Sequence, residues 1–299
     1  MKTVLGKTDN LGRTLMHEHL TINLSKEKDD ADANLNDDEA MIEELKALKA
    51  AGVDTICDVT NVGMGRDVSR MAMIVEKSGV NVLPSTGFYK EPYFPEFVCK
   101  STEKELARFM VKEIVEGIGG SGIKAAIIGE IGTGQHGFAD EEKKVFLAAA
   151  RAHAETGTPI TTHTTLGKHG LEQVELLKNF GVDTEKLVIG HLDLNPDMDY
   201  YLKILDKGCY IGFDTIGKNK YQPDSIRADC LFQLVKRGYG NRIVLSLDIT
   251  RKSHLKKYGG YGHSYIVESF IPMLLDKGIS QKDIDMMLIE NPKRLFNSK

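Results

Sequence analysis

Short apolar and β-branched runs alternate with longer amphipathic stretches from one end of the chain to the other. Runs that are apolar at nearly every position are typical of parallel strands that helices cover on both faces. The pattern predicts eight strands, over residues 13–20, 53–60, 80–87, 123–131, 159–164, 187–192, 209–215 and 242–249.

The stretches between these runs have the helical period. In the first of them, Met41, Ile42, Leu45 and Leu48 fall on one side, and charged residues occupy the other. Helices are predicted over residues 38–51, 102–118, 141–156, 171–180, 198–207 and 224–237. Several of these stretches end at a glycine, the residue that most readily adopts a left-handed conformation after a helix. The glycines concerned are Gly52, Gly79, Gly157, Gly181, Gly208 and Gly238.

Eight alternating strand and helix units favour closure into a barrel over an open sheet. The 299 residues allow about 37 residues per unit, enough for a parallel crossover connection. No proline-rich or low-complexity linker divides the chain. We therefore predict an α/β protein, a (β/α)₈ TIM barrel, as a single domain over residues 1–299. A C-terminal helix over residues 281–288 and the tail 291–296 should pack against it.

Composition narrows the classes of partner. The chain is 41% hydrophobic and 27% charged, with a net charge of −4 and no basic stripe, which argues against nucleic acid as a partner. No apolar run is long enough to span a membrane, and residues 1–7 lack the apolar segment of a signal peptide. The four cysteines, Cys57, Cys99, Cys209 and Cys230, form no CxxC pair and suggest reduced thiols. We expect a cytoplasmic protein; both a monomer and a homodimer remain open.

Five of the predicted strands end in residues that bind metals. His17 and His19 are two apart, so that on a strand both side chains point to the same face. Any one of these histidines could equally be a hydrogen-bonded core residue, but their common position at strand ends favours a metal centre at the catalytic rim of a barrel. The candidate ligands are His17, His19, Glu130, His163, His191 and Asp248.

Glu130 has a separate role in this prediction. Two adjacent divalent cations repel each other, and a carboxylate at the end of the fourth strand could offer one oxygen to each. The alternative is a glutamate that caps a helix or lies on the surface.

Four segments carry a resemblance to a known family. Gly12-Arg-Thr-Leu-Met-His-Glu-His19, Thr161-Thr-His-Thr164, Ile189-Gly-His-Leu-Asp193 and Ser246-Leu-Asp248 resemble the phosphotriesterase-related branch of the amidohydrolase superfamily. The resemblance implies a (β/α)₈ barrel with two divalent metal ions, usually Zn²⁺, with Mn²⁺, Co²⁺ or Ni²⁺ as alternatives. It places one ion on His17, His19 and Asp248, and the other on His163 and His191. Phosphotriesterase itself uses a carboxylated lysine as the bridge. The only lysine of the fourth strand, Lys124, lies at its beginning, so Glu130 is expected to bridge instead.

These ligands predict a hydrolase that uses metal-activated hydroxide, with Asp248 as the catalytic base. The loops after the seventh and eighth strands should select the substrate, and Lys218, Tyr221, Arg251 and Tyr261 are the predicted binding residues. Lys220, Arg227, Lys252 and His254 lie in the same region, and Tyr89, Lys90 and Tyr93 could form a lid, whereas His153 is expected to be structural.

Cationic side chains in these loops favour a phosphorylated small molecule, most of all a phosphorylated sugar lactone. A loop whose charges only keep the surface soluble is the alternative. Hydrolysis of a phosphodiester, a phosphotriester or an aryl ester is the rival activity. Outside the enzymes, the rival is a barrel that binds zinc without turnover.

Overall fold

Eight strands form a parallel sheet in the described part of the chain. The structure is a computed structural model that describes residues 1–8 and 10–297. A short N-terminal hairpin of Lys2–Thr3 and Gly6–Lys7 precedes the sheet. The strands are β1 (Thr14–Glu18), β2 (Thr55–Asp58), β3 (Asn81–Thr86), β4 (Ile127–Thr133), β5 (Ile160–Thr164), β6 (Leu187–Ile189), β7 (Tyr210–Phe213) and β8 (Ile243–Leu245).

Each strand pairs in parallel with the next one along the chain, from β1 to β8. Hydrogen bonds also join the segment after β8 to β1, two of them to the backbone of His17. The Asp248 N–H donates to the His17 carbonyl at 3.2 Å, and the His17 N–H donates to Ser246 Oγ at 3.0 Å. The predicted (β/α)₈ TIM barrel is therefore confirmed.

Helices connect the strands and cover the outside of the barrel. They are α1 (Ser25–Lys28), α2 (Asp38–Ala50), α3 (Val68–Ser78), α4 (Glu96–Lys100), α5 (Glu103–Val115), α6 (Asp140–Thr156), α7 (Gly170–Asn179), α8 (Met198–Leu205), α9 (Asp224–Lys236), α10 (Ile271–Asp276), α11 (Gln281–Asp285) and α12 (Asn291–Phe296). Two π-helical turns, Ile266–Phe270 and Met286–Glu290, adjoin the last helices. None of the helices in the described part of the chain is long and apolar enough to cross a membrane.

Local sequence signals explain where several helices begin and end. Asp37 caps α2 by accepting the Ala40 N–H, and Thr102 and Glu105 form a reciprocal capping box at α5. All six glycines predicted to end helices have positive φ; Gly79 and Gly157 directly follow α3 and α6. These boundaries therefore follow from local chemistry.

Apolar side chains fill the layer between strands and helices, and a smaller cluster closes the N-terminal end of the barrel. Leu295 of α12 belongs to that smaller cluster, together with Met16, Cys57 and Val244, and α12 contacts β8. The C-terminal tail thus packs against the barrel, as the sequence predicted. The polar ligands are left at the opposite end, where the strands run into loops.

Several element bounds differ from the predicted ones. The fourth strand is Ile127–Thr133, so Glu130 lies inside the strand instead of at its end. The helix predicted to end at Gly79, for which no beginning was given, is α3, which begins at Val68. The helix predicted over residues 281–288 is α11 followed by a π-helical turn.

Candidate metal centre

The six predicted ligands converge at the C-terminal end of the barrel. His17, His19, Glu130 and His191 are at most 3% exposed, and Asp248 is 8% exposed. His163 is the most accessible of them, with a side chain 14% exposed. His191 follows the end of β6 and Asp248 the end of β8, each in a left-handed backbone conformation that turns the chain at the rim.

Glu130 lies between the histidines. Its Oε1 is 3.4 Å from His19 Nε2, and its Oε2 is 3.5 Å from His17 Nε2. The same Oε2 is 3.2 Å from His163 Nδ1 and 3.6 Å from His191 Nε2. Asp248 Oδ1 closes the other side, 3.1 Å from His19 Nε2. The Glu130 carboxylate therefore faces both His17 with His19 and His163 with His191.

Several of these atoms are buried without a hydrogen-bond partner among the described residues: both ring nitrogens of His17, His19 Nε2 and Glu130 Oε2. Buried polar atoms without partners are costly, and their concentration in one place indicates a site built to bind a ligand. Three groups of donors among the described residues could each hold a cation: His17 with His19 and Glu130, His17 with His191 and Asp248, and Glu130 with His163 and His191. Four imidazoles and two carboxylates exceed what one tetrahedral ion uses, so the residues fit a binuclear centre.

The charges of the site suit cations. Burial opposes the ionisation of Glu130, but the surrounding histidines, His17 foremost, hold its pKa well below the usual range. Burial acts the same way on Asp248, where Lys218 and the histidines hold the pKa well below its usual value. Burial lowers the pKa of His163 to about 4, so its ring is neutral at pH 7. Burial opposes protonation of His17 and His191 as well, but Glu130 and Asp214 raise the pKa of both rings in the metal-free protein. Metals bind the anionic carboxylate and the neutral imidazole, so metal binding would displace protons from these two rings.

Two neighbouring residues fix the orientation of ligand rings. Asp214 Oδ1 lies 2.8 Å from His191 Nδ1 and also accepts the His191 N–H, which leaves Nε2 directed at the centre. Thr60 Oγ1 lies 2.9 Å from His19 Nδ1. Such partners set the tautomer and the position of a ligating histidine. The sequence reading did not identify Asp214, although an acid one residue beyond β7 matches the position of the other candidates.

A cavity of about 190 Å³ opens above the ligands. Its lining includes three of the four predicted substrate residues, Lys218, Tyr221 and Arg251. The Lys218 ammonium contacts Asp248 Oδ2. Tyr261 does not line this cavity. It lies in an adjoining groove, where its ring stacks on that of His254 with 5.4 Å between the ring centroids.

Other residues of this region differ from expectation. Arg227 is fully buried and binds Asp193 and Asp224, so it cannot contact a substrate. Lys28 of α1 lines the cavity and was not identified from the sequence. Tyr89 does lie at the cavity, with its hydroxyl 3.2 Å from His163 Nδ1. His153 is bonded to the backbone on both ring nitrogens, away from the site.

Comparison with known proteins agrees with this geometry. The Phosphotriesterase family profile matches residues 1–296. The chain is 46% identical to the phosphotriesterase homology protein of Escherichia coli over 96% of this chain and 99% of that protein. The crystal structure of that relative, complexed with phosphate in its active site, superposes with a TM-score of 0.95 over 97% of this chain and 100% of the other.

Two further relatives have different named activities. A lactonase structure from Listeria monocytogenes is 33% identical, with a TM-score of 0.95 over 100% of this chain and 99% of that chain. An N-acetyltaurine hydrolase from Dictyostelium discoideum is 36% identical, over 88% of this chain and 74% of that protein. The profile match over nearly the whole chain shows that this chain belongs to the phosphotriesterase family, a family of binuclear metal-dependent hydrolases, and its converging histidines and carboxylates could bind metal.

Proposed function

We propose that the protein opens the ring of a phosphorylated sugar lactone, with Zn²⁺ as the metal at both sites. The observation that carries the proposal is the position of two cationic side chains, Lys218 and Arg251, on the wall of the cavity whose floor is the ligand cluster. A substrate held there would present a carbonyl to the ligands and an anion to the wall.

The reaction divides between the metals and the protein. When bound, the two ions would supply Lewis acidity that activates water and polarises the lactone carbonyl. Asp248 stands beside both His19 and the cavity, so its carboxylate can accept a proton from the attacking water and return it to the departing ring oxygen. Lys218 keeps that carboxylate anionic before turnover, because its ammonium contacts Oδ2.

Recognition of the phosphate would fall to Arg251 and Lys218. A guanidinium offers a planar fork to phosphate oxygens, and an ammonium adds a point charge. Lys28 of α1, in the connection between β1 and α2, adds a third cation to the lining of the same cavity. Arg251 is held by Asp30 and lies 3.7 Å from Asp32, so an incoming phosphate would share or displace these carboxylates.

The relatives support this substrate class without defining it. One binds phosphate in its active site, and another is a lactonase. The N-acetyltaurine hydrolase relative favours a second candidate, an amide of an aminosulfonate, because a sulfonate could occupy the same cationic wall. A phosphoester or aryl ester as the scissile group remains the rival within the same metal chemistry.

The experiment compares the ratio of kcat/KM for phosphorylated and dephosphorylated aldonolactones in wild type, Arg251→Ala and Lys218→Ala. Each variant should lower that ratio by about tenfold or more, because a charge-assisted hydrogen bond to a remote group contributes about 1.5–3 kcal/mol. Lys252→Ala is the matched control, since it removes a charge from the same loop outside the cavity lining.

An unchanged ratio in both variants would contradict phosphate recognition and leave the metal chemistry intact. N-acetyltaurine and aryl esters, assayed in parallel, test the other candidates. Turnover of N-acetyltaurine with no lactone turnover would replace the lactone proposal by the amide one.

A further inference from the structure

Glu18 lies between two metal ligands in the chain, yet its carboxylate binds the segment after β8. The side chain is fully buried. Its Oε1 accepts the Ser246 hydroxyl at 2.7 Å and the Leu247 N–H at 2.8 Å, and its Oε2 accepts the Ile249 N–H at 3.1 Å. A carboxylate is costly to bury, and these three donors offset the cost.

The three bonds flank a single residue, Asp248. Its own N–H donates to the His17 carbonyl, so two adjacent residues of β1 accept three consecutive N–H groups of the segment after β8. Consecutive N–H groups around a left-handed residue form a concave site for an anion, and Asp248 has φ of 53°. Glu18 is the anion that occupies this site.

We infer that Glu18 is a positioning residue that holds the Asp248 carboxylate in place for the metal centre. With the N–H groups of Leu247, Asp248 and Ile249 all engaged by β1, the backbone on both sides of Asp248 is fixed. The Asp248 side chain then faces His19, with its Oδ1 3.1 Å from His19 Nε2. The inference rests on the role of Asp248 in the proposed function.

The chain provides a matched control for Glu18. His263 is fully buried between two carboxylates, with Nε2 3.7 Å from Glu18 Oε2 and Nδ1 3.6 Å from Glu44 Oε2. Glu44 is 4% exposed and accepts the backbone N–H groups of Lys256 and His263, but it has no bond to residues 246–249. Glu44→Gln therefore alters a buried carboxylate next to the same histidine without touching the Asp248 segment.

The test is a calorimetric titration of metal-free protein with Zn²⁺, which requires no substrate. In Glu18→Gln an amide NH₂ group takes the place of one carboxylate oxygen. If it replaces Oε2, the Ile249 N–H loses its acceptor; if it replaces Oε1, the Ser246 hydroxyl and the Leu247 N–H lose theirs. It should lower the affinity for the ion on His17, His19 and Asp248 by about 10–100-fold, the usual effect of losing a residue that orients a ligand. The ion on His163 and His191 should keep its affinity, and Glu44→Gln should keep both.

A double-mutant cycle separates positioning from general structural support. If Glu18 acts through Asp248, Glu18→Gln should cost little further affinity in an Asp248→Asn background. Equal losses at both ions, equal losses in Glu18→Gln and Glu44→Gln, or full additivity with Asp248→Asn would each overturn the inference.

A less disruptive variant keeps the test available if Glu18→Gln does not fold. Glu18→Asp keeps the negative charge on a shorter side chain that cannot reach all three donors, and it should produce the same selective loss at smaller size; no loss, or an equal loss at both ions, would overturn the inference. Failure of the lactone assays alone would contradict the proposed substrate, since the metal titration does not depend on it.

Discussion

The ligand histidines differ in the partner that fixes each ring. His191 bonds to a buried carboxylate, Asp214, whereas His19 bonds to the hydroxyl of Thr60. The partners of His163 other than Glu130, within the described part of the chain, are the Tyr89 and Thr165 hydroxyls at 3.2–3.3 Å. A carboxylate partner raises the basicity of an imidazole and fixes its tautomer more strongly than a hydroxyl does. The most firmly oriented ring is therefore that of His191.

Asp214→Asn should lower the affinity for the ion on His191 by about 10–100-fold, because the ring loses its anionic partner. A Zn²⁺ titration of the metal-free variant measures this effect. His153→Gln is the control, since it removes hydrogen bonds of a buried histidine outside the centre and should leave both affinities unchanged. Wild-type affinity in Asp214→Asn would contradict the orienting role.

His254, on the cavity wall, should make stability depend on pH. Burial, together with Lys218, lowers its pKa to about 4. A histidine in the unfolded chain has a pKa of about 6.5, so the unfolded chain binds this proton more readily than the folded protein does. The contribution of His254 to the free energy of unfolding is therefore lost as pH falls from about 6.5 to about 4. Metal-free His254→Gln should lose less stability than wild type over that window, measured by urea unfolding. If the free energy of unfolding fell equally with pH in wild type and in His254→Gln, the buried, neutral ring would be contradicted.

At the scale of elements, the connection between β1 and α2 is held against the connection after β8. Asp30 and Asp32 contact Arg251, and Asp32 also accepts the Ser253 N–H and hydroxyl. The two connections together form the side of the cavity where the substrate anion is proposed to bind. The Asp30 carboxylate would then compete with the substrate anion for the Arg251 guanidinium.

Asp30→Asn should lower KM for a phosphorylated substrate by about two- to fivefold, a modest change because the Asp30–Arg251 pair is partly exposed to solvent. Steady-state kinetics with the phosphorylated and dephosphorylated lactones measure it, and the dephosphorylated one should show no change. Asp38→Asn, which breaks the Asp38–Arg70 pair, serves as control. An increased KM in Asp30→Asn would show that the carboxylate supports the bound state instead.

The sequence predicted elements well where one physical signal dominated. The glycine positions followed from the left-handed conformation, and the positions of His163 and His191 at the ligand cluster followed from the apolar runs that precede them. The end of β4 was predicted too early. The run of apolar and small residues continues past Glu130 through Gly132, so the sequence pattern does not mark where the strand ends.

At the scale of the whole molecule, the barrel brings together residues that are far apart in sequence. His17 and Asp248 are joined by a backbone hydrogen bond across the closing seam. Parallel strands place their carboxyl ends at one rim, which is why strand-end residues could be predicted to meet there. The orienting contacts of Asp214, the approach of Lys28 and the burial of Arg227 depend on loop paths and side-chain directions, which the sequence pattern does not specify.

The net charge of the chain is −4, yet Lys28, Lys218 and Arg251 all line one cavity. Local cationic lining in a negatively charged molecule favours small anions at that one place, because a low-dielectric cleft concentrates the field of its own charges. The charge distribution of the molecule is thus consistent with an anionic small-molecule substrate.

The number of metal ions per chain decides whether these ligands form a binuclear centre. It can be measured by elemental analysis of protein loaded with Zn²⁺ and freed of excess metal. We predict about two ions per chain in wild type and about one in His163→Ala, because four imidazoles and two carboxylates provide donors for two tetrahedral ions. A single ion per chain, unaffected by His163→Ala, would contradict the account.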